Sequence, residues 1–256
     1  MRLLAWFDGE VFEASKLQTT SPFVMQRIHT LGGVVYNLDG HIAQLRAASE
    51  ELFGFATLCS VRDAQRIITR LIELSRVGTS LSVPVVMRLD SEGRLSFEVE
   101  HPTFGRGAYL RAKRDTGMPY EMVEPLSESQ NVASIGIDML ADHAVRHKGG
   151  ERAIWVSREG LLLSRAWMPI FVYYKQCWFT PRRFDSVEFR VAVDAIKAAG
   201  YKILVRDIPE SALVQADEIM VVDIMGISSF SKIKNHRLLC SVANRVAQKM
   251  EPKLDE

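Results

Sequence analysis

Glu151-Arg152-Ala153-Ile154-Trp155-Val156-Ser157-Arg158-Glu159-Gly160-Leu161-Leu162-Leu163 is the stretch on which the reading of this chain turns. An apolar run, a charged pair followed by Gly, and a second apolar run predict a hairpin turning at Arg158-Glu159. Ile170 to Tyr174 and Cys177 to Thr180 repeat the pattern, so the second half is strand-rich. Downstream, Val187 to Ala199 has the helical apolar period and stops at Gly200, and Tyr201 to Arg206 reads as a strand. Pro209 opens a short helix, and Ile219 to Asp223 reads as a buried strand ending in a carboxylate. Upstream, a helix is predicted over Asp138 to His147, preceded by a strand at Ala108 to Lys113 and a long polar loop.

The first half mixes the same elements. Leu3 to Phe7 and Glu10 to Phe12 predict two short strands around an Asp8-Gly9 turn. Gly32 to Asn37 with Asp39-Gly40 predicts a second strand and turn, followed by a helix from His41 to Phe53 that Gly54 stops. Val61 to Val77 predicts another amphipathic helix, and Leu81 to Leu89 with Leu95 to Glu100 predict strands flanking Asp90-Ser91-Glu92-Gly93. The Pro- and Gly-rich run from His101 to Gly107 is the best linker. The expected fold class is α+β in two lobes, 1–104 small and α/β, 105–256 larger and strand-rich.

Composition excludes much and selects little. The chain has 256 residues, 47% hydrophobic and 25% charged, which is the mixture of a globular protein. Lys plus Arg number 32 against 31 Asp plus Glu, a formal charge of +1, so no nucleic-acid partner is expected. No apolar run approaches the ~18 residues of a membrane span, and no signal peptide opens the chain, so a cytoplasmic, membrane-free protein is expected. Cys59, Cys177 and Cys240 are far apart, without a CxxC pair. His143 and His147, with Asp142 alongside, could share one helical face, but Ala144 stands where a metalloprotease needs Glu and no third ligand is evident. A plain helix face, and no metal, is the expectation.

Four segments in order resemble the class IV (fold type IV) pyridoxal-phosphate (PLP) aminotransferases and aminodeoxychorismate lyase. Gly33 to Ser49, with His41-Ile42-Ala43-Gln44-Leu45-Arg46, is similar to the family's strand, turn and H-L-x-R-L-x-x-S-A helix. Glu151 to Gly160 is similar to D-E-A-L-L-L-D-x-x-G, and Trp178-Phe179-Thr180-Pro181 to the hairpin ending in T-P. Ala216-Asp217-Glu218-Ile219-Met220 matches A-D-E-V-F, and Gly226-Ile227 the G-I of the phosphate-side loop. The resemblance implies the two-lobed D-amino-acid-aminotransferase-like fold, a homodimer, PLP as cofactor, and an amino acid or aminodeoxychorismate as substrate.

It also implies site positions, and at these the residues depart from the family. The Schiff-base lysine, which forms the internal aldimine, falls near Ser134-Ile135-Gly136, and no lysine occurs from Asp115 to His147. Lys148 and Lys113 could serve only through a rearranged loop. The phosphate-clamping helix Arg corresponds to Gln44, and the carboxylate that pairs with the pyridine nitrogen to Ser164. The G-I-T-R turn corresponds to Ser186-Val187-Glu188-Phe189, and the Thr of T-x-A-G-I to Asp223, leaving Ser228 as a hydroxyl donor. The implied function is class IV PLP chemistry by ancestry in a degenerate member. The alternative is a non-catalytic small-molecule-binding or subunit-assembly protein on the same fold, with Trp167, Ile135 and Phe189 filling the cleft. Simpler readings place Ile135 in the core, Gln44 on a helix surface, Ser164 in a strand, and Asp223 paired with Arg165 or Lys232.

Overall fold

The computed structural model describes residues 2–77, 82–102, 110–123, 129–224 and 226–250, with 110–114 by backbone alone. They form two compact units, and the predicted boundary between 104 and 105 lies outside the described residues. Contacts group residues 129–132 with the first unit.

The first unit is one antiparallel sheet and two helices. In chain order its elements are β1 (Leu4–Phe7), β2 (Glu10–Glu13), β3 (Phe23–Leu31), β4 (Val34–Val35), α1 (Leu38–Phe53), α2 (Val61–Ser75), β5 (Val83–Asp90) and β6 (Leu95–Val99). The strand order is β2-β1-β6-β5-β3-β4. Asp8 and Gly9 both take left-handed backbone, φ 50° and 86°, which matches the twist of the β1–β2 hairpin. Val83, Val85, Met87 and Leu89 alternate along β5 and bury one face against Ile42, Leu45, Ala48, Ile68 and Leu71 of the helices. The Asp39-Gly40 pair predicted as a turn instead lies in the first turn of α1. Asn37 makes the reversal, in left-handed conformation at φ 54°. Strand β3 is invisible to alternation because its buried positions include polar side chains. Gln26 pairs with His41 (3.0 Å), His29 with Ser82 (2.7 Å), and the Thr30 hydroxyl donates to the Val83 carbonyl (2.9 Å).

The second unit holds β7 (Leu110–Glu121), α3 (Val132–Arg146, from 133 on), β8 (Arg152–Val156), β9 (Ile170–Tyr174), β10 (Cys177–Thr180), α4 (Val187–Ala198), β11 (Lys202–Val205), β12 (Glu218–Asp223), β13 (Gly226–Ile233), β14 (His236–Arg237) and α5 (Ser241–Met250). The sheet runs β11-β10-β9-β12-β13-β7-β8, with β14 on β13. Its middle strands bury both faces. Phe171, Tyr173, Met220 and Val222 face the core under α4 and α5, while Ile170, Val172, Ile219 and Val221 face a second core with Leu213 and Phe230. Gly117 of β7 fits only without a side chain, since a Cβ there would lie 2.7 Å from both Ile154 and Phe230.

Three predicted elements shift. Strand β7 continues to Glu121 through what reads as a polar loop, because its backbone is paired in succession by parallel strands, β13 as far as Gly117 and β8 from Gly117 to Glu121, whatever its side chains. Helix α3 starts at Val132 rather than Asp138. Leu161 to Leu163 folds back on β8, with the Ser157 N–H donating to the Leu161 carbonyl (2.7 Å) and the Leu163 N–H to the Trp155 carbonyl (2.8 Å), but forms only isolated bridges, to Val156 and Pro209, rather than a full strand.

Glu218, fully buried on β12, caps α5. Its carboxylate accepts from the Ser241 hydroxyl (3.0 Å) and from the backbone N–H groups of Val242 (2.9 Å) and Ala243 (2.8 Å). These are the orphan donors of a helix start, where negative charge is favoured. Glu218→Ala is expected to lower stability by about 2 kcal/mol in urea unfolding, and an unchanged midpoint would count against the cap. No helix of the described residues is long and apolar enough to cross a membrane.

Candidate functional site

The chemistry-bearing side chains of the second unit gather on α3, the irregular segment 164–169, the start of α4, and the β12–β13 turn. On α3 the stripe Ser134, Asp138, Ala141, Val145 turns inward at helical spacing, with Asp138 the one carboxylate on it. Asp142, one turn further, accepts from the Ala153 N–H (2.8 Å) and ties α3 to β8.

Asp138 is the hub of a buried polar cluster. Its Oδ1 takes a short charge-assisted hydrogen bond from Arg165, and its Oδ2 accepts from the indole N–H of Trp167 (3.2 Å). The guanidinium lies 4.6 Å over the Trp155 ring, and the Arg165 side chain is only 8% exposed. Burial pulls the Arg165 guanidinium down from its ordinary value, and Asp138 opposes that pull. Nearby, Arg152 pairs with Asp115 at 3.0 Å.

The segment 164–169 is pinned at two points. The Ser164 hydroxyl accepts from the Ile170 N–H (3.1 Å). Ser186, the N-cap of α4, donates its hydroxyl proton to the Ala166 carbonyl (2.8 Å) and accepts from the Phe189 N–H (3.1 Å).

Glu188 follows that cap in the first turn of α4. It is buried, and its Oε2 has no hydrogen-bond partner. Burial first, then the negative charge of Asp223, push its carboxyl up from 4.5 to about 7. Its own N–H, Arg190 and Ser186 pull the other way. The Ser186 proton is already committed to Ala166, so it does not relieve Oε2. An anion at a helix start is ordinarily stabilised, so the raised value measures how strongly burial and Asp223 outweigh the helix.

The structure brings some of the sequence-derived positions together and leaves others apart. Phe189, packed on Phe171 (5.9 Å) and Phe184 (6.0 Å), and the neighbouring Glu188 share one neighbourhood with half-buried Asp223. Ser228 is buried on β13 opposite Val221, two pairs from the Asp223–Gly226 end of the hairpin. Ile135 is half-buried on α3, off the inward stripe. Gln44 is half-buried on α1, in the first unit. Lys148 is exposed in the turn that closes α3, and the Lys113 side chain lies outside the described residues. Arg165, one of the two partners expected for Asp223, goes to Asp138. Asp138 itself escaped sequence reasoning, although a lone carboxylate on an inward helical stripe is a signal that could have found it. A cleft of about 730 Å³ lies along α4 and β11, lined by Phe184, Phe189, Arg190, Val193, Lys197 and Ile203.

The family model described as amino-transferase class IV matches residues 24–230. Among solved structures, the chain is similar to an aminotransferase from Brucella abortus bound to the cofactor PLP, with TM-score 0.82 and 14% identity over 97% of this chain and 98% of that one. It is also similar to a branched-chain aminotransferase from Thermoproteus uzoniensis, crystallised with norvaline (TM-score 0.79, 17% identity, 98% and 94% covered). A fold IV transaminase from Curtobacterium pusillum gives TM-score 0.81 at 12% identity, with 98% and 100% covered. A comparison with curated proteins gave no match.

Proposed function

The chain belongs to the class IV amino-transferase family, and from that premise we propose that it is a non-catalytic member, whose fold is retained for binding or assembly without PLP chemistry. The observation that carries this reading is the buried, unpartnered Oε2 of Glu188 beside Asp223. The resemblance assigns both positions to the cofactor's phosphate. A phosphate there would meet two carboxyl groups where charge-assisted donors are needed, and each lost contact of that kind is worth about 1.5–3 kcal/mol before repulsion is counted. The described residues therefore do not fit PLP.

The rest of the cluster supports the same reading. Helix α3, where the resemblance expects the Schiff-base amine, contains no lysine. Ser164, assigned to the pyridine nitrogen, has its hydroxyl engaged by Ile170. Arg165 and Trp167, on the same segment, close onto α3 through Asp138. A neutral hydroxyl lacks the charge to hold a pyridinium proton in any case. The reading includes a cytoplasmic homodimer, whose dimeric state sedimentation of the purified protein tests.

The decisive experiment is an absorbance titration of the purified protein with PLP, followed by borohydride reduction and peptide mass spectrometry. The expected spectrum is the sum of protein and free PLP, with no pyridoxyl-lysine. A visible aldimine band trapped on a single lysine would overturn the proposal and name the residue.

A further inference from the structure

We propose that His143 and His147 form a two-imidazole chelating site for a divalent transition-metal cation of the Cu²⁺ class, at the C-terminal end of α3. The two side chains lie four residues apart on one helical face, and both are exposed, so neither is needed by the core. Their Nε2 atoms converge to 3.2 Å, with the rings 4.8 Å apart and nearly perpendicular at 86°. A metal bound at about 2.0–2.1 Å from each of two nitrogens, with an angle between right and tetrahedral, spans about 2.8–3.4 Å between them. The observed separation is therefore already that of a closed chelate.

The surroundings favour a cation over an isolated imidazole pair in one respect and limit it in another. The C-terminal end of α3 presents the negative pole of the helix within the last turn. Arg146 and Lys148 flank the site with positive charge, so the ion must bind through coordination rather than through the general field. Asp142 is turned to the Ala153 N–H and supplies no ligand. Among the described residues no group of three or more ligating side chains forms, so water completes the coordination shell and the site remains open. Neutral imidazole binds such ions through nitrogen, whereas Ca²⁺ takes oxygen ligands, so selectivity is part of the inference.

The same 3.2 Å would arise if one neutral ring simply donated to the other, and metal titration separates the two. Full-length protein is titrated calorimetrically with Cu²⁺, and with Ca²⁺ as control, at pH 7.5. One Cu²⁺ is expected to bind and Ca²⁺ none, with nitrogen hyperfine structure in the electron paramagnetic resonance spectrum. His143→Gln and His147→Gln should each weaken Cu²⁺ binding by about a hundredfold, the loss of the second, tethered ligand, while leaving thermal unfolding of the metal-free protein unchanged. Equal Cu²⁺ affinity in the wild type and in the double variant, or no Cu²⁺ binding by the wild type, would overturn the proposal.

Discussion

Asp138→Ala is expected to be among the most destabilising single changes in the second unit, at about 3 kcal/mol. The reason is Arg165, whose side chain is 8% exposed and whose charge would be left without its partner. Removing one member of a buried pair typically costs about 3–5 kcal/mol, and the 19% exposure of the Asp138 side chain places this case at the lower end. Trp167 would lose its acceptor at the same time. The pair itself need not add that much to stability, because desolvation of both groups offsets most of the attraction. Exchanging both partners for apolar residues, as in Asp138→Leu with Arg165→Met, should therefore recover most of the loss. Chemical denaturation of the two singles and the double forms the cycle. If Asp138→Ala were neutral, or the double variant no better than the single, the cluster would not be the buried ion pair described.

Glu188 is expected to make the protein less stable as pH rises from about 4.5 to about 7. In the unfolded chain its carboxyl ionises near the ordinary 4.5, whereas in the fold it keeps its proton to about 7. Between those values the folded state binds more protons, so stability falls with rising pH, and the loss is complete above the folded value. A difference of this size corresponds to about 3 kcal/mol. Glu188→Gln removes the titration while keeping the shape, and should gain about 2–3 kcal/mol at pH 8 and nearly nothing at pH 4. His29 imposes the opposite slope. Buried against Ser82 and stacked on Tyr36, it is pushed down to about 4, so its contribution is lost as pH falls from 6.5 toward that value. That slope is common to wild type and variant and cancels in their difference. Parallel stability profiles of the two proteins from pH 4 to 8 would show that Glu188 is not held protonated by the fold.

The site was legible in outline. Glu188 and Asp223 stand thirty-five residues apart in the chain, and read alone they are a carboxylate in the first turn of a helix and one at the end of a buried strand. Only the resemblance assigned both to one phosphate, and only the packing of α4 on the strands of its core makes Asp223 act on the ionisation of Glu188. Of the two partners read for Asp223, Arg165 goes elsewhere for a related reason. A charged residue in an apolar segment announces that it needs a partner but not which one, and α3, folded back alongside, supplied Asp138 instead of Asp223.

By itself the sequence determined the elements whose apolar period faces a single environment. The strands Ile170–Tyr174 and Cys177–Thr180 emerged at their predicted bounds, and helices α2 and α4 within two residues of theirs, because local periodicity is enough to specify them. Tertiary structure decided the rest: β3, whose buried polar residues are satisfied by distant partners, β7, whose polar backbone is held first by β13 and then by β8, and the meeting of Asp138, Arg165 and Trp167. The physical reason is the same for all three. A buried polar group is stable only when hydrogen-bonded, and the partner that satisfies it lies far away in the chain, where no local pattern records it.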